Sequence, residues 1–291
     1  MTNRSVLLAL VLTFSATAAQ AQDSTAVPTW TKSLTGQLSG AQAGFTNWAE
    51  GGVNTLALTF GVDGSAENTQ GMWSQIYDIR LTFGLVKQGS DHLRKAEDLI
   101  RIRSSFLYTA EEGLLATLNP TFAAGFRSQF APGKNFDKDP LGLDRELPLK
   151  VSDLFAPATL TQTLGLSWVA SPQLTQRLGI AAKETIVTIE ELRPIYNVDP
   201  DKSIRSEVGI EAFTELNTQL AENVHYKSTL GLFAAFDQAD APDMIWENAI
   251  NMKVNGWLNV NFEWTLLYDT DVVSEIQTKE VFSVGVSYTF L

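Results

Sequence analysis

The chain has no cysteine in its 291 residues. A small secreted fold stapled by disulfides is excluded, and so is a lipoprotein signal. Basic residues are scarce: 21 Lys and Arg stand against 33 Asp and Glu, a formal net charge of −12. Nucleic acid is not an expected partner, because phosphate contacts need a basic surface. Histidine occurs only twice, at His92 and His225. Beyond the N-terminus there is no run of ~18 apolar residues, so no helix is expected to span a bilayer. Yet 44% of the residues are hydrophobic, with 16 Phe and 7 Trp. That apolar content must be carried by shorter, patterned segments.

The first residues have a different character. Arg4 precedes an apolar core from Val6 to Phe14, and Ala19-Gln20-Ala21 supplies an A-x-A cleavage site. This is the pattern of a secretory signal peptide, expected over residues 1–21 and excluded from the fold. Residues 22–30 are expected to be a short periplasmic segment, and 31–291 a transmembrane β-barrel.

The barrel expectation rests on period. In the last stretch, Phe282, Val284, Val286, Tyr288 and Phe290 alternate with Ser283, Gly285, Ser287 and Thr289. Strict alternation gives a strand with one apolar and one small, polar face. The same reading gives about twelve strands, several of ten or so residues, the length of a tilted membrane crossing (~9–11 residues). Trp73, Tyr77, Ile79, Leu81, Phe83 and Leu85 share one face of the third, opposite Asp78, Arg80 and Thr82. Pro120 interrupts the fifth and removes a ladder donor. Connections are expected to alternate: tight at Leu114, Ser171-Pro172, Ala221-Glu222 and Asn255-Gly256, long at Lys87–Glu97, Ala131–Ala156, Glu190–Lys202, Asp237–Asp243 and Asp269–Lys279. The fold class is therefore all-β, an antiparallel up-and-down barrel with short turns at one end and longer loops at the other.

Two resemblances agree. The final strand resembles the C-terminal signature strand of bacterial outer-membrane β-barrels, with Leu291 added after the usual terminal aromatic. That resemblance implies recognition by the barrel-assembly machinery, and an outer-membrane location in a Gram-negative bacterium. Near the mature N-terminus, Asn47-Trp48-Ala49-Glu50-Gly51-Gly52-Val53-Asn54-Thr55 resembles an N-W-x-x-G-G-x-N-[ST] element of domain of unknown function 3078, a Gram-negative secreted group. The resemblance implies an outer-membrane-type β protein and no chemistry. Physically, Gly51-Gly52 suits a tight turn, and Asn47 and Asn54 suit local backbone bonding.

Alternation also places charge. Arg80, Arg101, Arg103, Arg127, Arg177 and Lys183 are expected inward as a basic lumen wall, and Glu207, Glu211, Glu215, Glu247 and Glu263 as an acidic wall opposite. Two readings stay open: the walls line a narrow aqueous channel for ions or small polar solutes, or they pair and plug the interior, giving a structural or adhesive barrel without conductance. A hydrophobic-ligand carrier opening near Pro120 and an outer-membrane enzyme are further alternatives. No catalytic constellation is expected: Asp91-His92 is the only adjacent acid–histidine pair, and the N-H-x-S-N context of an outer-membrane phospholipase is missing. The Asp-rich loops (Asp137, Asp139, Asp144; Asp237, Asp240, Asp243; Asp269, Asp271) lack the ligand spacing of a calcium loop. No metal or cofactor is expected. The expected partners are membrane lipid, lipopolysaccharide and small polar solutes.

Overall fold

The computed structural model describes residues 30–45 and 53–291. The expected signal peptide and Asn47, Trp48, Gly51 and Gly52 lie outside the described residues. In chain order the strands are β1 (Thr31–Ala43), β2 (Thr55–Gln70), β3 (Trp73–Gln88), β4 (Arg94–Tyr108), β5 (Leu118–Ser128), β6 (Gly133–Asn135) and β7 (Leu149–Ser152). They continue with β8 (Ala158–Ser171), β9 (Leu174–Ile186), β10 (Ile204–Ala221), β11 (Val224–Ala235), β12 (Asp243–Lys253), β13 (Leu258–Asp269) and β14 (Val273–Thr289). Among the described residues twelve of these close one antiparallel barrel, and β6 and β7 form a separate two-stranded hairpin. Each barrel strand pairs with its neighbour in sequence, β5 with β8 across the hairpin, and β1 with β14 closes the ring through the register Thr35–Thr289 to Gly40–Val284. Closure leaves no unpaired sheet edge, which is what a sheet surrounded by lipid requires.

The pattern of exposure is the reverse of a water-soluble protein. Leu164, Ile180 and Phe282 are 68%, 61% and 66% exposed, while Thr163 and Ser167 are 1% and 2% exposed. A belt of exposed leucine, isoleucine, valine and phenylalanine on this scale is not stable in water and marks the lipid-facing surface. Large aromatics gather near the strand ends. Trp73 packs edge-on against Tyr108 and Tyr288 against Phe290 at the end that carries the termini. Trp168 and Trp257 are exposed at that same end, and Trp246 and Phe236 near the other. These are the two girdles expected where a barrel crosses both interfaces. The five residues Phe282, Val284, Val286, Tyr288 and Phe290 all stand on the outer face.

Turns at the terminal end are mostly short (71–72, 172–173, 222–223, 254–257), and the two longest connections, 129–157 and 187–203, stand at the loop end. Three expectations need correction. Lys87–Glu97 and Asp269–Lys279 are not long loops, because β3 and β4 run into the first and β14 begins at Val273, leaving only 89–93 and 270–272 outside the strands. The polar rim residues that disguise these strand ends, such as Lys95 and Asp98, find ionic partners in the fold (Lys95 Nζ to Asp98 Oδ2, 3.0 Å). The connection at Leu114 is not tight: it spans 109–117 and contains a short 3-10 turn, Leu114–Ala116. Pro120 interrupts nothing, since the β4–β5 ladder stops at Leu107–Thr121 and Leu118–Pro120 pair only with β8. The ring is closed there, with no lateral opening among the described residues.

One close approach matters for the interior. Gly165 and Gly179 face each other on β8 and β9, and a Cβ on Gly179 would lie 2.5 Å from the Leu164 carbonyl oxygen and 2.8 Å from the Gly165 Cα. These are backbone atoms and cannot rotate away. Gly179→Val is expected to destabilise the barrel by about 1–3 kcal/mol, read as a smaller folded fraction in the heat-sensitive band of an unboiled electrophoresis sample. An unchanged folded fraction would show that the two strands separate there freely.

Candidate functional site: the lumen and its cap

The inward faces put the expected charged residues together, but not as two surfaces held apart across water. Glu263 on β13 accepts from Arg80 Nη2 with both oxygens at 2.6 Å. Glu247 on β12 takes three guanidinium groups: Arg101 at 2.5 Å and Arg103 at 2.9 Å on Oε2, and Arg127 at 2.8 Å on Oε1. In the ring order β4 and β12 lie diametrically opposite, so these bonds cross the lumen. Lys227 on β11 also crosses, 3.9 Å from Asp78 on β3, and pairs with its neighbour Glu215 at 3.0 Å. Arg177 pairs with Glu211 on the adjacent strand at 3.0 Å, and Lys183 with its register partner Glu207 at 3.7 Å. Each of the five expected inward glutamates therefore has a basic partner. The physical reason is dielectric: in a narrow interior an unpaired charge is costly, and long arginine side chains reach across to remove that cost.

The expected walls omit several residues that take part. Arg205 pairs with Glu207 (3.2 Å) and with Asp271. It precedes Glu207 by two positions on the same face of β10, so alternation alone could have found it. Asp243 bonds Lys183, and Phe213 packs between Arg103 and Arg177, its ring centroid 5.3 and 4.8 Å from their guanidinium carbons. Phe213 reads as an exception to the polar face, and only the neighbouring arginines explain it.

Ion pairs do not fill the interior. One cavity of about 1110 Å³ remains, lined by Arg101, Arg103, Arg127 and Arg177 on one side and by Thr159, Thr161, Thr163 and Ser167 of β8 on another. Its lining reaches from Pro172 and Gln173, in a turn at the terminal end, to Tyr196 and Val272 at the loop end.

At the loop end the two long connections make a cap. Ala156, Val187, Leu192, Ile195 and Val198 form a buried apolar cluster, with Leu141, Val151, Ile189 and Tyr196 packed against it. Residues 190–196 form a short 3-10 helix that places Leu192 and Ile195 inward. Tyr196 donates its hydroxyl to the Val151 carbonyl at 2.7 Å. Burial pushes that hydroxyl up to about 12, so it stays a donor at any physiological pH. The 129–157 connection is tied to β4, where Asp98 accepts from the amides of Phe130 and Ala131 at 2.7 and 2.9 Å. The stretch from Ala131 to Ala156 thus sits over the mouth and contributes Val151 and Ser152 to the cavity lining.

Asp271 latches the cap to the opposite rim, accepting from Asn197 Nδ2 at 3.0 Å and from Arg205. Burial alone would raise this carboxyl, but the hydrogen bonds from Arg205 and Asn197 outweigh it and hold the group below its ordinary 3.8. A depressed carboxylate stabilises the fold above its unfolded value and loses that stabilisation as pH falls through the folded one. Hydrogen-exchange protection of 187–203 should therefore stay level from pH 7 down to about 4 and fall only below that. Asp271→Asn should remove the acid step.

The acidic loops form no uniform cation site. Asp139 is forked by Arg145, at 2.8 and 2.6 Å, which holds its carboxyl well below the usual range. Asp243, Asp269 and Asp271 do converge, their oxygens within 4.8 Å of one another, yet Lys183 and Arg205 already bond two of them. Asp91 is held by Arg94 at 3.0 Å, and His225 by Asn217 at 2.6 Å in the lumen near the terminal end. Asn54 bonds local backbone, accepting from the Phe45 amide at 2.6 Å.

Residues 41–133 match the family described as Protein of unknown function (DUF3078), the group suggested by the Asn47–Thr55 element. Residues 161–290 match a second family, Protein of unknown function, DUF481. No curated protein matches the chain. Among solved structures, the translocator domain of autotransporter NalP from Neisseria meningitidis is 11% identical, with 91% of this chain and 90% of that chain covered at a TM-score of 0.38. An outer membrane channel from Pseudomonas putida F1 is also 11% identical, covering 91% and 96% at a TM-score of 0.38. The NanC porin is 9% identical, covering 87% and 98% at a TM-score of 0.36.

Proposed function

We propose that this outer-membrane-type barrel is a narrow channel that passes ions and small polar solutes. The observation that carries the reading is the interior cavity, about 1110 Å³, whose lining runs from Gln173 at the terminal end to Val272 at the loop end. Its walls mix apolar side chains such as Phe126, Leu232 and Phe233 with hydroxyls, amides and charges, and it is the charged and hydroxyl groups that suit hydrated solutes. The exposed apolar belt and its aromatic girdles support a reading in which lipid covers the outside, with lipopolysaccharide at the loop end, in the outer membrane of a Gram-negative bacterium. Export by the N-terminal signal and insertion by the assembly machinery through β14 complete the reading.

The test is single-channel conductance of the refolded protein in a planar bilayer under a salt gradient. Discrete steps with a stable reversal potential are expected. Arg101→Glu with Arg103→Glu should shift that potential toward cation selectivity, because both side chains line the cavity. An open channel whose potential does not move would remove these arginines from the permeation path. The pairs that span the lumen, those of Arg101, Arg103 and Arg127 with Glu247 above all, favour a second reading, a plugged structural or adhesive barrel. A folded but silent protein would select it.

A further inference from the structure

The arginines are arranged in a way that lumen packing alone does not call for. Arg80 and Arg101 are register partners on β3 and β4, and Arg101 and Arg127 on β4 and β5. Three like charges in one row directly across neighbouring strands repel, and a lumen built only for stability would alternate their signs. Arg80 is matched by Glu263, which accepts from it with both oxygens. Arg101, Arg103 and Arg127 share a single carboxylate, that of Glu247. With the neighbouring groups counted, Arg101, Arg103, Arg127 and Lys227 face three carboxylates, those of Glu247, Asp78 (the register partner of Arg103) and Glu215, an excess of one positive charge at this level.

That excess faces the cavity. Arg101, Arg103 and Arg127 line it, and Glu247 meets them from the opposite wall. Arg127 makes one hydrogen bond to Glu247, through Nη1, and its side chain is 39% exposed. Most of its five donors are therefore directed elsewhere. Phe213 backs Arg103, which holds the fork in place and lowers the entropy lost when it binds. The internal partner is itself a carboxylate, so the guanidinium forks are already spaced for two coplanar oxygens.

We infer that Arg101, Arg103 and Arg127 form a subsite for small carboxylates, with Glu247 as a tethered counterion that keeps the site organised when no solute is present. A carboxylate neutralises the unmatched charge and takes up the spare Arg127 donors, whereas an uncharged amide does not neutralise it. The inference rests on the channel reading for its biological sense, but binding does not require conduction. This separates the two tests.

The experiment is calorimetric titration of succinate into the refolded barrel in detergent micelles at low salt, with succinamide as the uncharged control. Saturable succinate binding and no succinamide binding are expected. Arg127→Gln should weaken succinate about tenfold, and Glu247→Gln should tighten it by a similar factor, each about 1.4 kcal/mol. If Glu247→Gln does not fold, Arg127→Gln alone decides. Equal behaviour of succinate and succinamide, or an Arg127→Gln variant that binds succinate unchanged, would overturn the subsite. A barrel that conducts but ignores succinate sinks the subsite and leaves the channel standing. One that binds succinate without conducting does the reverse.

Discussion

Removing the Glu247 carboxylate is expected to be the most destabilising single change in the lumen. Glu247→Ala leaves Arg101, Arg103 and Arg127 without their common partner. Glu247 is only 15% exposed, and Arg101 and Arg103 are 13% and 22% exposed. Stranding a buried charge by deleting its partner costs about 3–5 kcal/mol, and the better-hydrated Arg127 adds little to that. The lower end applies if water enters the cavity and solvates the freed forks. The measurement is the urea midpoint of folding into micelles. A companion variant sharpens it: Glu247→Met combined with Arg101→Met should lose less than Glu247→Met alone, because a paired removal strands one fewer charge. Equal losses would mean that the Glu247–Arg101 bond couples nothing. The same stranded arginines are why Glu247→Gln, where it folds, is expected to bind succinate more tightly.

The second large effect lies at the mouth. Leu192 and Ile195 are 3% and 7% exposed in the cap cluster and belong to no barrel strand. Replacing a buried leucine or isoleucine even by alanine costs about 2–5 kcal/mol, and aspartate adds the burial of an unpaired charge. A small satellite cluster cannot absorb that, so Leu192→Asp with Ile195→Asp should unfold the cap while the ladder stays closed. Two readouts follow. Protease should cut within 187–203 in folded protein, and single-channel conductance should rise, since Tyr196 would leave the cavity lining. Protease resistance with unchanged conductance would show that the cap neither depends on this cluster nor narrows the path.

Both effects depend on features that the sequence shows unequally. The period of two in Phe282 to Phe290, and in Val260 to Tyr268, marks strands with one lipid face, and it could be read without coordinates because side-chain direction in a strand is a local property. The acidic composition, the absence of cysteine and of spanning helices, and the Asn255-Gly256 turn narrowed the rest to a barrel with its charges inside. Strand ends with mixed polar faces, such as Arg94 to Asp98, were not legible. Their polar groups bond partly within the strand end, as Lys95 to Asp98, and partly to distant segments, as Asp98 to the Phe130 and Ala131 amides and Glu97 to Lys279. The cap was not legible either: Ala156, Val187, Leu192, Ile195 and Val198 show no period that predicts a shared core, since they come from two separate loops.

What the sequence determined by itself is therefore the strand architecture and which residues face inward. What only the tertiary structure decided is who meets whom. Arg80 finds Glu263 across 183 positions and Arg127 finds Glu247 across 120. Those separations follow from the order and stagger of strands around a closed ring, which no local pattern encodes. Barrel closure brought the inward charges within reach of one another, and the low polarisability of a narrow interior made them pair across it.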